Sequence, residues 1–226
     1  MRGKRAHLQL VTVPRPDLLT AIAGAVRGGA DSVQLRDCDA SAHDMYALAR
    51  DAVHACADAG AAVFVNDRVD VARATGASGA HLGSDGLPLQ AARAVLETWQ
   101  QVGVSVHSIE EAIAAARGGA DYLVYGHVYP TASHPGEPGR GIPALRAVVV
   151  AVDIPVLAIG GIDPGRVPEV MATGCAGVAA ISAVLDRSDP ELAARSLRAA
   201  LDASGEPGRS FQAAETRRPG CEKLDS

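Results

Sequence analysis

A short phrase recurs four times along this chain, as Gly29-Ala-Asp-Ser-Val-Gln-Leu35, Gly76-Ala-Ser-Gly-Ala-His-Leu82, Gly119-Ala-Asp-Tyr-Leu-Val-Tyr125 and Gly174-Cys-Ala-Gly-Val-Ala-Ala-Ile181. Each copy follows an alanine-rich segment whose apolar residues have helical spacing. The glycine supplies the left-handed position just past a helix end, and the apolar run behind it reads as a buried strand. The copies lie 47, 43 and 55 residues apart, which suits two strand–helix units per interval. Four such pairs make eight strands, expected at 8–12, 32–36, 62–66, 79–83, 102–107, 122–126, 155–160 and 177–182.

Helix starts are legible between them. Ser108-Ile-Glu-Glu111 reads as a capping box, in which the serine takes the amide of the glutamate and the glutamate reaches back. Asp163-Pro164 and Asp189-Pro190 each set a carboxylate at an N-cap and a proline where the missing amide costs nothing. Strand alternating with helix, joined by right-handed crossovers, closes most simply as a (β/α)8 TIM barrel in the α/β class. A doubly wound open sheet competes, but no Gly-x-Gly-x-x-Gly follows the first strand. The expected barrel is a single domain over 1–204, and 205–226, mixing charge with glycine and proline, is expected to be a disordered tail.

Composition narrows the partners. The net charge of −5 over 226 residues argues against nucleic acid or a membrane surface, either of which favours a basic face. No apolar run approaches a membrane span and the N-terminus lacks a signal-peptide core, so a cytoplasmic location is expected. Cys38, Cys56, Cys175 and Cys221 show no paired spacing and read as reduced thiols rather than a disulfide framework or a zinc site. Oligomeric state is left open, a homo-oligomer included.

In such a barrel the chemistry sits where strands end. The stretch from Tyr122 to Gly141 stands out: an apolar strand breaks at Gly126, sets His127 at its end, and runs into a loop of Thr, Ser, His, Pro and Gly. Imidazole, titrating near neutrality, can give and take a proton there; a structural histidine capping the loop is the competing reading. Gly160-Gly161 and Ile181-Ser182 end adjacent strands, where bare amides can cradle a phosphate; a mere tight turn is the alternative. Other strand-end candidates are Gln34 and Arg36, Asn66 and Asp67, Ser84 and Asp85, Ser105 and His107. His81 reads either as a hydrogen-bonded core residue or as part of the pocket.

Taken together, Gln34-Leu-Arg-Asp37, Val65-Asn-Asp-Arg-Val-Asp70, Gly79-Ala-His-Leu-Gly83, Val104-Ser-Val-His107, Pro130-Thr131, Ile154 to Ile162 and Gly177 to Ser182 resemble the thiamine phosphate synthase superfamily. The resemblance implies a (β/α)8 barrel. It also implies one of two activities. The synthase branch joins a pyrimidine diphosphate to a thiazole phosphate and needs magnesium and a lysine-lined diphosphate site. Here Cys38 and His134 stand where that branch has lysines, and Gly86 stands where it has an aspartate. Gly126-His127-Val128, Thr131 and Gly139-Arg140-Gly141 instead resemble the TenI-type thiazole tautomerases. That implies an isomerase that aromatises a thiazole carboxylate phosphate by proton transfer, with no cofactor and no metal.

Under this expectation His127 is the catalytic group. Gly161, Ile181 and Ser182 hold the phosphate, while Arg36, Asn66, Ser105, Thr131, Ser133 and His134 contact the rest of the thiazole phosphate carboxylate. Residual synthase activity and a non-catalytic thiazole-phosphate sensor are the rival readings.

Overall fold

The computed structural model describes residues 5–214. Eight parallel strands follow one another around a closed barrel in sequence order: β1 His7–Val11, β2 Ser32–Leu35, β3 Ala62–Asn66, β4 Gly79–Leu82, β5 Gln101–Val106, β6 Tyr122–Tyr125, β7 Val156–Ile159 and β8 Gly177–Ala180. The last closes on the first, with Leu8 beside Val178. Each expected strand is present, its ends within two residues of those expected. The four phrase glycines, Gly29, Gly76, Gly119 and Gly174, all have positive φ, between 66° and 104°. A side chain disfavours that conformation, which is why glycine stands at each junction.

Helices α1 Leu18–Arg27, α2 Ala42–Ala57, α3 Val69–Thr75, α4 Leu89–Val95, α5 Ile109–Arg117, α6 Gly141–Ala151, α7 Val167–Met171, α8 Ser182–Leu185 and α9 Pro190–Ala203 surround the strands. The capping signals at α5 and α9 hold. The Ser108 side chain accepts from the Glu111 amide, and Asp189 accepts from the Leu192 amide with Pro190 opening the helix. The Glu111 carboxylate reaches back one residue further than the box predicts, to the His107 amide at 2.7 Å. Asp163-Pro164 starts no helix. Asp163 accepts from the amides of Gly165 and Arg166 in a turn, and α7 begins only at Val167.

Two cores result from the strand alternation. One set of side chains, among them Val33, Val63 and Leu123, packs outward against the helices. The other, including Phe64, Tyr122, Val124 and Leu157, fills the barrel interior. Here the tail expectation needs correction. Residues 205–214 run beneath the barrel, and Phe211, 6% exposed, sets its ring 4.4 Å from Tyr122 and 4.6 Å from His7. Gln101 fastens the segment, donating from Nε2 to the Gln212 carbonyl and accepting at Oε1 from the Ala214 amide. The apolar Phe211 closes the N-terminal end of the barrel, a packing role that the polar residues around it mask in the sequence. The rest of the expected tail, 215–226, lies outside the described residues. No helix among the described residues is long and apolar enough to cross a membrane.

Candidate functional site

With its lower end stoppered, the barrel opens at the C-terminal ends of its strands into a cavity of about 1030 Å³. All ten residues singled out above lie along it. Arg36 follows β2, Asn66 ends β3, and Ser105 lies within β5. His127 follows β6, with Thr131, Ser133 and His134 in the loop beyond it. Gly161 follows β7, and Ile181 and Ser182 follow β8.

The wall at β6 and β7 is built by close packing. Gly160 and Gly161 have φ of 103° and 64°. A Cβ on Gly160 would sit 2.3 Å from His127 Cβ, and one on Gly161 would sit 2.7 Å from the Pro130 carbonyl oxygen. Two adjacent glycines therefore let the loop after β6 lie against the end of β7. His127 is buried, its Nε2 donating to the Pro138 carbonyl at 3.2 Å. Its ring stacks on that of His134 with centroids 4.5 Å apart. Arg140 clamps the same loop from behind, donating from Nε to the Gly126 carbonyl and from its amide to the His127 carbonyl. At β8 the short α8 follows directly, and its first amides have no intrahelical partner.

Across the cavity, the Arg36 amide is tied to the Thr12 hydroxyl at 2.9 Å. The Arg36 guanidinium makes no ion pair among the described residues. Asn66 donates from Nδ2 to Asp67 Oδ2 at 2.6 Å, and the Gly83 amide donates to Asp67 Oδ1 at 2.7 Å. Arg187 also lines this cavity. It belongs to no strand end and no recognisable motif, and only the turn after α8 brings it here.

The floor carries a polar row: Ser105, His81, Tyr122 and Gln9. His81, left between core and pocket by the sequence, is both: 1% exposed, it also borders the cavity. Burial pushes its pKa down to about 3, so the ring is neutral. Burial likewise pushes the Tyr122 phenol up.

Magnesium, which the synthase branch uses, can be tested against the donors present. It takes oxygen ligands in strict octahedral geometry, usually one or two carboxylates plus substrate phosphates. Asp67 already accepts a hydrogen bond on each oxygen, and a Cβ on Gly86 would lie only 2.3 Å from its Oδ1. The carboxylate thus fills the space where a second ligand at position 86 would project. No group of three acidic, histidine or cysteine side chains that could hold a metal occurs among the described residues. The residues form no protein cage for magnesium, and the single carboxylate at Asp67 leaves the rest of the coordination to substrate phosphates and water.

The model of the family described as thiamine monophosphate synthase matches residues 8–184. A putative thiamine-phosphate synthase of Geobacter sulfurreducens is 45% identical over 187 residues, covering 82% of this chain and 87% of that one. The thiamine-phosphate synthase of Chlorobium luteolum is 42% identical over 185 residues, covering 81% and 87%. Among solved structures, the thiamine phosphate pyrophosphorylase of Pyrococcus furiosus superposes with a TM-score of 0.82 at 36% identity, covering 88% of this chain and 96% of that one.

These names overturn the expected isomerase. The relatives are synthases, which are transferases, and not tautomerases of the TenI type. The expectation rested on Cys38, Gly86 and His134 as losses from a diphosphate site, and on Gly126-His127-Val128, Thr131 and Gly139-Arg140-Gly141 as a tautomerase pattern. Two guanidinium groups, of Arg36 and Arg187, nevertheless border the same opening. By the family model and by these relatives alike, the chain belongs to the thiamine monophosphate synthase family.

Proposed function

We propose that the mouth of this barrel joins a pyrimidine diphosphate to a thiazole phosphate with release of diphosphate, the activity for which the relatives are named. The observation that carries it is one cavity with two facing walls that can each hold an anion. Gly161 and the amides of Ile181 and Ser182 hold the thiazole phosphate, aided by the hydroxyls of Thr131 and Ser133. Arg36, Asn66 and Ser105 take the pyrimidine diphosphate, with Arg187 and His134 adding donors.

In the reaction the carbon–oxygen bond to the diphosphate breaks and its electron pair leaves with that group. The thiazole ring nitrogen supplies the pair for the new carbon–nitrogen bond. Charge gathers on the leaving diphosphate, so donors fixed around it lower the barrier. The loop between His127 and Arg140 keeps water from competing as nucleophile. His127 seats that loop through Pro138, and its Nδ1, without a partner among the described residues, is left for the ligand.

The test is to incubate the purified full chain with both substrates in magnesium-containing buffer and to follow diphosphate release and the coupled product together. Both should appear only when both substrates are present. Absence of product at saturating substrate would overturn the reading. Arg36→Ala should lower kcat/KM by about 10–100-fold, on the scale of losing charge-assisted hydrogen bonds.

A further inference from the structure

The polar row on the cavity floor has a direction. His81 on β4, Gly103 on β5 and Tyr122 on β6 lie side by side in register. Gly103 has no side chain, and a Cβ there would come within 2.2 Å of Tyr122 Cζ and 2.5 Å of His81 Nδ1. The two rings meet across β5 only because that position is bare. Their polar atoms form a continuous row: Gln9 Nε2 lies 3.4 Å from the Tyr122 hydroxyl, that hydroxyl 3.2 Å from His81 Nδ1, and His81 Nε2 2.9 Å from Ser105 Oγ.

A neutral imidazole carries one ring proton. With the Gln9 amide nitrogen donating to the phenol oxygen, the phenol proton goes to His81 Nδ1. The ring proton must then sit on Nε2 and be donated to Ser105 Oγ. That leaves the serine proton free, with the cavity as its direction. Turning the Gln9 amide over would reverse every bond in the row, and the two directions leave different protons on the imidazole.

We propose that Gln9, Tyr122 and His81 are positioning residues that turn the Ser105 hydroxyl so that its proton points to the ligand on the floor of the cavity. The ligand selected is one presenting a lone pair there, such as an unprotonated ring nitrogen. A hydroxyl free to rotate accepts as readily as it donates, whereas one that already accepts from behind turns its proton forward and favours a ligand atom that accepts. Only the identity of that ligand as the pyrimidine rests on the proposed function.

The tautomer is measurable directly. In the full chain labelled with 15N-histidine, long-range proton–nitrogen spectra assign each ring, His81 being identified by its loss in His81→Gln. The expected result is a ring protonated at Nε2 alone, unchanged between pH 5.5 and 8. Protonation at Nδ1, or a ring that titrates in that range, would overturn the proposal. Tyr122→Phe removes the donor to Nδ1 while keeping the ring, and should leave His81 as a mixture of tautomers.

In the same variant the KM for the pyrimidine diphosphate should rise about 5–10-fold, one hydrogen bond's worth, with the KM for thiazole phosphate unchanged. His81→Gln, which retains an N–H, should bind more tightly than His81→Leu. If both KM values move together, or neither moves, the row is merely structural. Should the chain make no product, the same comparison by calorimetric affinity for the pyrimidine diphosphate and the thiazole phosphate decides between these outcomes, and the tautomer measurement stands by itself.

Discussion

Gly103 and Gly161 show how much a single missing Cβ can position. At Gly103 the neighbours are aromatic rings on both flanking strands, held by the barrel's own closure. Gly103→Ala should therefore destabilise the fold by about 1–3 kcal/mol, the usual cost of overpacking a full interior, read as a lowered urea midpoint with an unchanged slope. Gly161 combines a left-handed φ of 64° with a carbonyl oxygen 2.7 Å from where a Cβ would be. Gly161→Ala should push the loop after β6 away from β7 and raise the KM for thiazole phosphate at least tenfold. An unaltered KM in that variant would remove this turn from the phosphate site. The sequence showed glycines at both positions but could not show what stood opposite them. The neighbours of Gly103 are two strands whose residues lie about twenty positions away on either side.

Among the elements, the segment after α9 changes its standing most. Its composition is that of a tail, yet one aromatic ring in it seals the barrel. Phe211→Ala should cost about 3 kcal/mol, as for other buried phenylalanines truncated to alanine, and a chain ending at residue 204 should lose at least as much. Equal unfolding free energies for the truncated and full chains would show that the contact contributes nothing. The helix starts divide instructively. Asp189 and Ser108 cap as their local sequences require, because the capping partner is only three residues away. Asp163-Pro164 carries the same local signal and forms a turn, since Gly161 and Arg166 are committed to each other through the Gly161 carbonyl and the Arg166 side chain.

For the molecule as a whole, two interior histidines tie stability to pH. Burial lowers His7 to about 4 and His81 to about 3 from the ordinary 6.5. Asp31 and two arginines adjust His7 further in opposing directions. Above pH 6.5 neither the folded nor the unfolded chain protonates them, and the full stability is present. As pH falls below 6.5 the unfolded chain gains protons that the folded one refuses. Stability then declines by up to about 1.4 kcal/mol per pH unit for each ring, until the folded values are reached. Urea unfolding should therefore show a loss of about 2 kcal/mol between pH 6.5 and 5.5, a window above most carboxylate titration. His81→Gln should remove about half of that loss; an unchanged slope would assign the protons elsewhere.

What the sequence settled unaided was carried by local spacing: eight strands, the glycines that end the helices before four of them, two helix caps, and the end of the barrel at which the candidate residues gather. The ten candidate residues share one cavity because a strand-end position in a closed parallel barrel faces one mouth, whatever its chemistry. Tertiary structure alone decided what depends on atoms distant in the chain. It turned a polar tail into a stopper, brought Arg187 to the opening, occupied Asp67 with the Gly83 amide, and aligned Gln9, Tyr122, His81 and Ser105 in one row. Local backbone preference is set by a few neighbouring residues, but contact across a barrel is set by its closure, and no short stretch of sequence contains that.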